Sequence, residues 1–152
     1  MNINIEKYPF FANWIDSVPE GWKVLIPCLL EDLEKACIAD NTDINDIKIS
    51  DVKEKYGELR IYATCSDTCQ KILDIYQFIS SMFCINCGHP HIAMTKGWIA
   101  PFCNDCWKES WGEWVEETQD FNYRYTTYDG NETKEIVVDT KPYYERVLKY
   151  VD

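Results

Sequence analysis

Basic residues are scarce in this chain: 15 Lys and Arg stand against 26 Asp and Glu in 152 residues, a formal charge of −11 at pH 7. A protein whose main task is gripping nucleic acid carries a basic face, because phosphate neutralisation dominates that affinity. The sign of the charge therefore argues against nucleic acid as the partner. Histidine is scarcer still, with only His89 and His91. The chain also lacks a Gly-rich phosphate loop, a G-x-S-x-G elbow and an H-E-x-x-H helix, so no familiar catalytic constellation is present. No apolar run approaches the roughly 18 residues of a membrane span. Met1 to Phe11 has neither a basic n-region nor an apolar h-region, so no secretory signal is expected and the expected location is the cytoplasm. There is no internal repeat, low-complexity tract or Gly/Ser linker, and residues 1–152 read as a single domain.

What is present is apolar and aromatic: 46% hydrophobic residues, with six Trp, ten Tyr and six Phe. That composition is too rich for a disordered chain, and a chain of this length can bury roughly two thirds of its unfolded surface. Tyr8, Phe10, Phe11 and Trp14 read as an irregular aromatic arm. A helix is expected from about Lys23 to Ala39, where Trp22, Leu25, Leu29, Leu33 and Ala36 recur at helical spacing. Pro27 is tolerable there only in the first turn. Alternating Ile47 and Ile49, then Leu59 and Ile61, with Tyr56-Gly57 between, predict a β-hairpin of about 46–54 with 58–64, bulged near Asp51-Val52. Ser66 or Asp67 can cap a second helix over about 67–82. A cysteine-rich segment runs into a third helix ending near Thr118. Phe121, Tyr123 and Tyr125, the turn Asp129-Gly130-Asn131 and Ile136-Val137-Val138 predict a C-terminal hairpin, with a short closing helix after Pro142. The expected class is α+β: helix, hairpin, helix, embedded four-cysteine zinc ribbon, helix and C-terminal hairpin.

Cys84-Ile85-Asn86-Cys87 and Cys103-Asn104-Asp105-Cys106 form C-x2-C-x15-C-x2-C, the spacing of a four-cysteine zinc site. Two intervening residues let both sulfurs of a pair point at one ion, and Gly88 supplies the permissive backbone such a knuckle needs. A hairpin turning at Lys96-Gly97 would bring the two knuckles together within the module 84–106. Four thiolate ligands close the coordination sphere, so Zn2+ at Cys84, Cys87, Cys103 and Cys106 is expected to be structural rather than catalytic. Four thiolates and one divalent ion take the formal charge from −11 to −13. Disulfides and an iron–sulfur cluster are the competing readings. His89 or His91 could instead replace a cysteine or sit behind the ligands. Cys28 and Cys37 fall on the apolar side of the first helix. Cys65 and Cys69 flank a strand-to-helix turn, where with His89 and His91 they form an alternative second metal set.

The acid is clustered. Residues 31–46 hold six carboxylates against Lys35 alone, and residues 105–120 hold six against Lys108 alone. Two readings stand: solubility, or a surface that attracts a basic protein or mimics nucleic acid. On the expected third helix, Trp107, Trp111 and Trp114 share one face, and Glu109, Glu113 and Glu117 repeat every four residues. Like charges at that spacing repel by roughly 0.2–0.5 kcal/mol per pair, which a basic partner would relieve. The tryptophans either pack onto the ribbon or form an exposed anchor surface.

Gly21-Trp22, then Val52-Lys53-Glu54-Lys55-Tyr56-Gly57-Glu58-Leu59-Arg60-Ile61-Tyr62, then Cys84-x-x-Cys87-Gly88, Gly97-Trp98 and Cys103-x-x-Cys106 follow one another in order. Over roughly residues 20–107 this resembles a group of small uncharacterised bacterial and phage proteins with a K-E-K-[FY]-G-x-L-R-x-Y signature and a zinc ribbon. The resemblance implies a microbial cytoplasm and the mobile-element setting of immunity and anti-defence proteins, and it brings no catalytic residues. The signature itself reads as an anion-holding loop of Lys53, Lys55 and Arg60, or as a solvated hairpin turning at Gly57.

The leading expectation is a non-enzymatic, zinc-stabilised acidic interaction protein. It would bind and restrain a basic protein through Trp107, Glu109, Trp111, Glu113, Trp114 and Glu117. The alternative is a nucleic-acid or transcription-associated zinc-ribbon module, and the third reading is an enzyme without a recognisable motif.

Overall fold

Pro27 sets the start of the longest helix. Its nitrogen has no proton to donate and its ring collides with the carbonyl four residues back, so it fits only a first turn. Helix α2 accordingly spans Ile26–Asp40 with Pro27 in that turn. The preceding Glu20–Leu25 tightens into a 3₁₀ helix instead of the α-helical start expected from Lys23. Asn41, left-handed at φ 55°, ends α2 and returns its amide to the carbonyls of Cys37 and Ile38. The computed structural model describes residues 4–90, 93–95, 99–107, 114–116 and 119–151, with backbone only at 93 and 114–116.

The aromatic arm is more ordered than its irregular pattern suggests. Short helical turns at Ile5–Lys7, Pro9–Ala12 (α1) and Ile15–Ser17 deliver Tyr8 and Phe11 into the core. Strands β1 (Lys48–Lys55) and β2 (Glu58–Thr64) pair antiparallel around Tyr56-Gly57, both left-handed at φ 53° and 78°. Two successive positive φ values make the turn whose twist matches the strands. The bulge falls between Ile49 and Asp51, one step before the expected site. Helix α3 (Asp67–Ser80) starts where Ser66 accepts the Cys69 amide. Strands β6 (Asn122–Tyr128) and β7 (Thr133–Asp139) form the C-terminal hairpin, and α4 (Lys141–Leu148) closes the chain with Pro142 in its first turn. The main core gathers Trp22, Leu25, Leu29 and Leu33 against Tyr76, Ile79 and Phe83. The class is α+β.

The third helix is the correction. Trp114–Glu116 is a strand, β5, paired antiparallel with β3 (Ala93–Thr95), which also pairs with β4 (Pro101–Phe102). A β3–β4 hairpin alone leaves one edge of β3 with unpaired amides and carbonyls, and such groups must find partners. Trp114-Val115 favours extended backbone, and that edge overrides the helical period. Residues 108–113 and 117–118 of the expected helix lie outside the described residues, as does the turn at Lys96-Gly97.

Gly21 joins the helical core to the cysteine module. A Cβ at this position would lie 2.6 Å from the Ile85 carbonyl carbon and 2.7 Å from the Gly88 nitrogen. Its amide donates to the Ile85 carbonyl at 2.9 Å, and the neighbouring Trp22, fully buried, donates from Nε1 to the Phe83 carbonyl at 3.1 Å. Backbone cannot rotate away as a side chain can. Gly21→Ala is therefore expected to destabilise the fold by about 3 kcal/mol, at the upper end of overpacking costs. A urea titration showing a change below about 0.5 kcal/mol, the size of an ordinary surface substitution, would disprove the contact.

Candidate metal centre

Each cysteine pair sits in a turn built by its own backbone. In the first, the Cys84 amide donates to the His89 carbonyl (2.7 Å) and the Gly88 amide to the Cys84 carbonyl (2.9 Å), with Gly88 left-handed at φ 80°. In the second, the amides of Cys106 and Trp107 both donate to the Cys103 carbonyl, at 3.2 and 3.0 Å. The Ile85 amide reaches the Pro101 carbonyl at 2.9 Å, which fastens the first turn to β4 just ahead of the second. The expected hairpin between the knuckles is thus present as β3 and β4.

These turns bring the sulfurs of Cys84, Cys87, Cys103 and Cys106 within 4.8 Å of one another, and Cys87 Sγ lies 3.5 Å from Cys103 Sγ. A tetrahedral ion with metal–sulfur bonds of about 2.3 Å needs sulfur–sulfur edges of about 3.8 Å. The four cysteines are therefore placed to hold one metal ion. Cys84 is buried in a small second core with Ala100 and Phe102, against which Ile85 and Trp107 pack. Cys87 is exposed and opens onto a cleft of about 420 Å3 bordered by His89, Pro90, Asn104 and Asp105.

The electrostatics suit a cation. Burial, then the neighbouring thiols of Cys103 and Cys84, push the Cys87 thiol up to about 11 despite a backbone hydrogen bond at His89. Burial and the same crowding by Cys103, Cys87 and Cys84 raise Cys106. Cys103 feels burial too, but hydrogen bonds from the backbone of Cys106 and Asp105 and from the thiols of Cys87 and Cys106 outweigh it and leave it below the ordinary thiol value. Cys103 is thus the readier thiolate, while Cys87 and Cys106 resist ionisation until positive charge arrives among them.

His89 Nδ1 lies 3.3 Å from Cys87 Sγ, so it stands beside a ligand while all four cysteines remain together. His91 lies outside the described residues. The alternative second set does not form: Cys69 Sγ faces Cys37 Sγ at 3.5 Å inside the core, and Cys65 Sγ is 4.0 Å from Gln70 Oε1. Among the described residues, no other group of metal-ligating side chains converges.

Of the expected partner-binding residues, Trp107 and the backbone of Trp114 are among the described residues. Trp107 is half-buried against the second core, the Trp114 backbone lies in β5, and Glu109, Trp111, Glu113 and Glu117 fall outside the described residues. Much of the acid in 31–46 works internally. Asp32 is buried, accepts the Tyr76 hydroxyl at 2.5 Å and takes Arg146 Nη1 on both oxygens at 2.8 and 2.9 Å. Asp40 accepts the hydroxyls of Ser66 (2.7 Å) and Thr68 (3.2 Å), Glu34 accepts the Tyr8 hydroxyl (2.7 Å), and Asp43 accepts the Asn45 amide.

The signature motif is also structural. Lys53 pairs with Asp51 at 3.7 Å, Arg60 with Glu58 at 3.2 Å, and the Glu54 carboxylate accepts the Gly57 amide. A Cβ at Gly57 would lie 2.7 Å from Met94 Cε and 3.2 Å from Ile99 Cγ2. Lys53 and Arg60 face each other across the hairpin, each beside its own carboxylate, and the hairpin tip seats against the cysteine module. Comparison with protein families, curated proteins and solved structures returns no match. No helix among the described residues is long and apolar enough to cross a membrane.

Proposed function

We propose that the four cysteines hold a structural Zn2+ and that the protein is a non-enzymatic binding protein. Its partner would be a basic protein that it restrains in the cytoplasm, in the manner of an immunity or anti-defence inhibitor. The choice of zinc rests on the donor set, since four thiolates in a tetrahedron suit it and leave no position for an activated water.

The observation that carries the binding reading is the outer face of the C-terminal hairpin. Tyr128 is 72% and Val137 52% exposed. Around them Asp129, Glu132, Glu135 and Asp139 are exposed, against Arg124 and Lys134. Tyr128 at the tip and Val137 opposite Arg124 are two separate exposed anchors with Glu135 between them. Although Glu135 and Glu132 make surface pairs with Arg124 and Lys134, carboxylates outnumber bases here, which suits a basic surface. In the sequence-derived set Trp107, Glu109, Trp111, Glu113, Trp114 and Glu117, the three glutamates contribute to the net negative charge and the three tryptophans are the candidate anchors.

The test is capture of the metal-loaded protein's partner from a nuclease-treated native lysate, followed by kinetics with the Glu132→Lys/Glu135→Lys variant. The variant is expected to slow association about tenfold at low salt, with a smaller effect at high salt. An unchanged association rate would remove the hairpin from the interface. No captured protein, together with tight and steeply salt-dependent binding of purified DNA or RNA, would replace this reading altogether.

A further inference from the structure

A cleft runs between α2, α3, α4 and the inner face of the C-terminal hairpin, and none of the four clustered cysteines lines it. It consists of two hollows of about 540 and 370 Å3 that share Thr68, Ile72 and Tyr143. Those volumes lie in the range of about 300–1,000 Å3 typical of small-molecule sites. The larger hollow is bordered by Lys35 and by the Asp32–Arg146 pair, and the smaller by Tyr123, Tyr125, Lys71 and Asp74.

The walls are aromatic and braced. Tyr123 stacks at a tilt on Phe78 (5.3 Å between ring centres) and on Tyr125 (5.6 Å), and Tyr143 meets Tyr76 edge-on at 6.0 Å. Tyr76 is itself fixed by Asp32. Rings held in this way offer flat faces to a planar ligand at little ordering cost.

The cleft carries cations as well as carboxylates. Three cations line it, Lys35, Lys71 and Arg146, against the carboxylates Asp32 and Asp74. Asp32 is taken up by Arg146 and Tyr76, and Asp74 accepts Gln70 Nε2 at 2.9 Å. Lys35 and Lys71 are exposed and make no ion pair among the described residues. Arg146 is held by Asp32 and Glu31, and the negative charge of Asp74 acts on Tyr123, so the cleft is close to balanced. That leaves Lys35 on the larger hollow and Lys71 on the smaller as its ammonium groups without an ion pair among the described residues.

We infer that this cleft binds a small planar aromatic anion, its ring against Tyr123, Tyr125 and Tyr143 and its acid group at Lys71 on the smaller hollow or at Lys35 on the larger. A carboxylate or a phosphate meets the same requirement. The hairpin's outer face, proposed above for a protein partner, is not involved, so either reading can fail without the other.

The experiment is an amide NMR titration of the metal-loaded full chain with four probes. Indole-3-acetate and tryptamine share a ring and differ in the sign of their charge, while adenosine 5′-monophosphate and adenosine differ by the phosphate. Saturable shifts at Thr68, Lys71, Ile72, Tyr123 and Tyr143 are expected with at least one anion, whose cationic or neutral counterpart binds about tenfold or more weakly. Which anion binds decides between carboxylate and phosphate. The Lys35→Glu/Lys71→Glu variant, altered only at exposed positions, is expected to keep its spectrum elsewhere and to lose about tenfold in affinity. The assignment is overturned by no saturable shift in the cleft up to about 10 mM of either anion. Tryptamine binding as tightly as indole-3-acetate, or full affinity in the double variant, overturns it equally.

Discussion

Stripping the metal is expected to unfold the cysteine module and leave the helical core standing. Among the described residues the buried apolar side chains form two clusters: a large one built on α2, α3, the 3₁₀ segment before α2 and the first hairpin, and a small one of Cys84, Ala100 and Phe102. Ile75 and Met94 are buried outside both. Three fully buried residues cannot offset an ordering cost of about 1–2 kcal/mol per residue over the module. The ion must supply the difference, and structural Zn2+ in small domains supplies apparent free energies of about 10 kcal/mol or more. In hydrogen exchange after chelation, the amides of Ile85, Gly88, Cys106 and Trp107 should lose about 100-fold or more in protection, while α2 and α3 change by less than about tenfold. Cys84→Ser should reproduce the pattern and abolish stoichiometric metal binding, because it removes the buried ligand that ties the ion to β4. The contact between Gly21 and Gly88 should pass on only about 1–2 kcal/mol to the helices, in the range of a single lost contact. Loss of the far-UV helical signal on chelation would instead make the two clusters one cooperative unit.

That division also explains which parts of the molecule were legible from residues alone. Pro27, Ser66, Tyr56-Gly57 and the two C-x2-C pairs each impose a local geometry that holds whatever surrounds them, and each is found where its chemistry requires. Trp114–Glu116 went the other way because its conformation answers to the open edge of β3, some twenty residues earlier. The carboxylates of 31–46 looked like a displayed surface because their partners are remote: Tyr76 and Arg146 for Asp32, Ser66 and Thr68 for Asp40, Tyr8 for Glu34. One local signal was available. Asp32 shares the helical row of Cys28 and Ala36, four residues to either side, and a carboxylate on a buried row needs donors from another element. Gly21 gave no such signal, since a close approach to Gly88 is a property of the assembled fold.

Asp32→Ala is expected to be a strongly damaging substitution of a buried polar residue in the helical core. It leaves the buried Tyr76 hydroxyl without its acceptor and Arg146 without both of its short bonds, retaining only Glu31 at 3.2 Å. Breaking a buried pair costs about 3–5 kcal/mol, and because the Arg146 side chain is a third exposed the lower end applies, about 3 kcal/mol. Tyr76→Phe, which removes one hydrogen bond and leaves the Asp32–Arg146 pair intact, should cost about 1–2 kcal/mol. The double variant should then cost less than the sum, because Asp32→Ala no longer strands a hydroxyl. Alkali separates the two roles. Burial first, then the hydrogen bond and charge of Asp32, hold the Tyr76 phenol far above its ordinary value of 10.0. A phenol that ionises in the unfolded chain but not in the folded one contributes its full stability below pH 10 and loses it as pH rises further. The loss runs at about tenfold in the folding constant per pH unit. Tyr8, raised to about 12 by burial and by Glu34, adds a second, shorter decline. Urea titrations between pH 9 and about 11.5, within reach of the unfolded phenol's titration, should therefore fall more gently for Tyr76→Phe than for the native chain. Parallel slopes would mean that Tyr76 reaches solvent and that Asp32 is held by Arg146 alone.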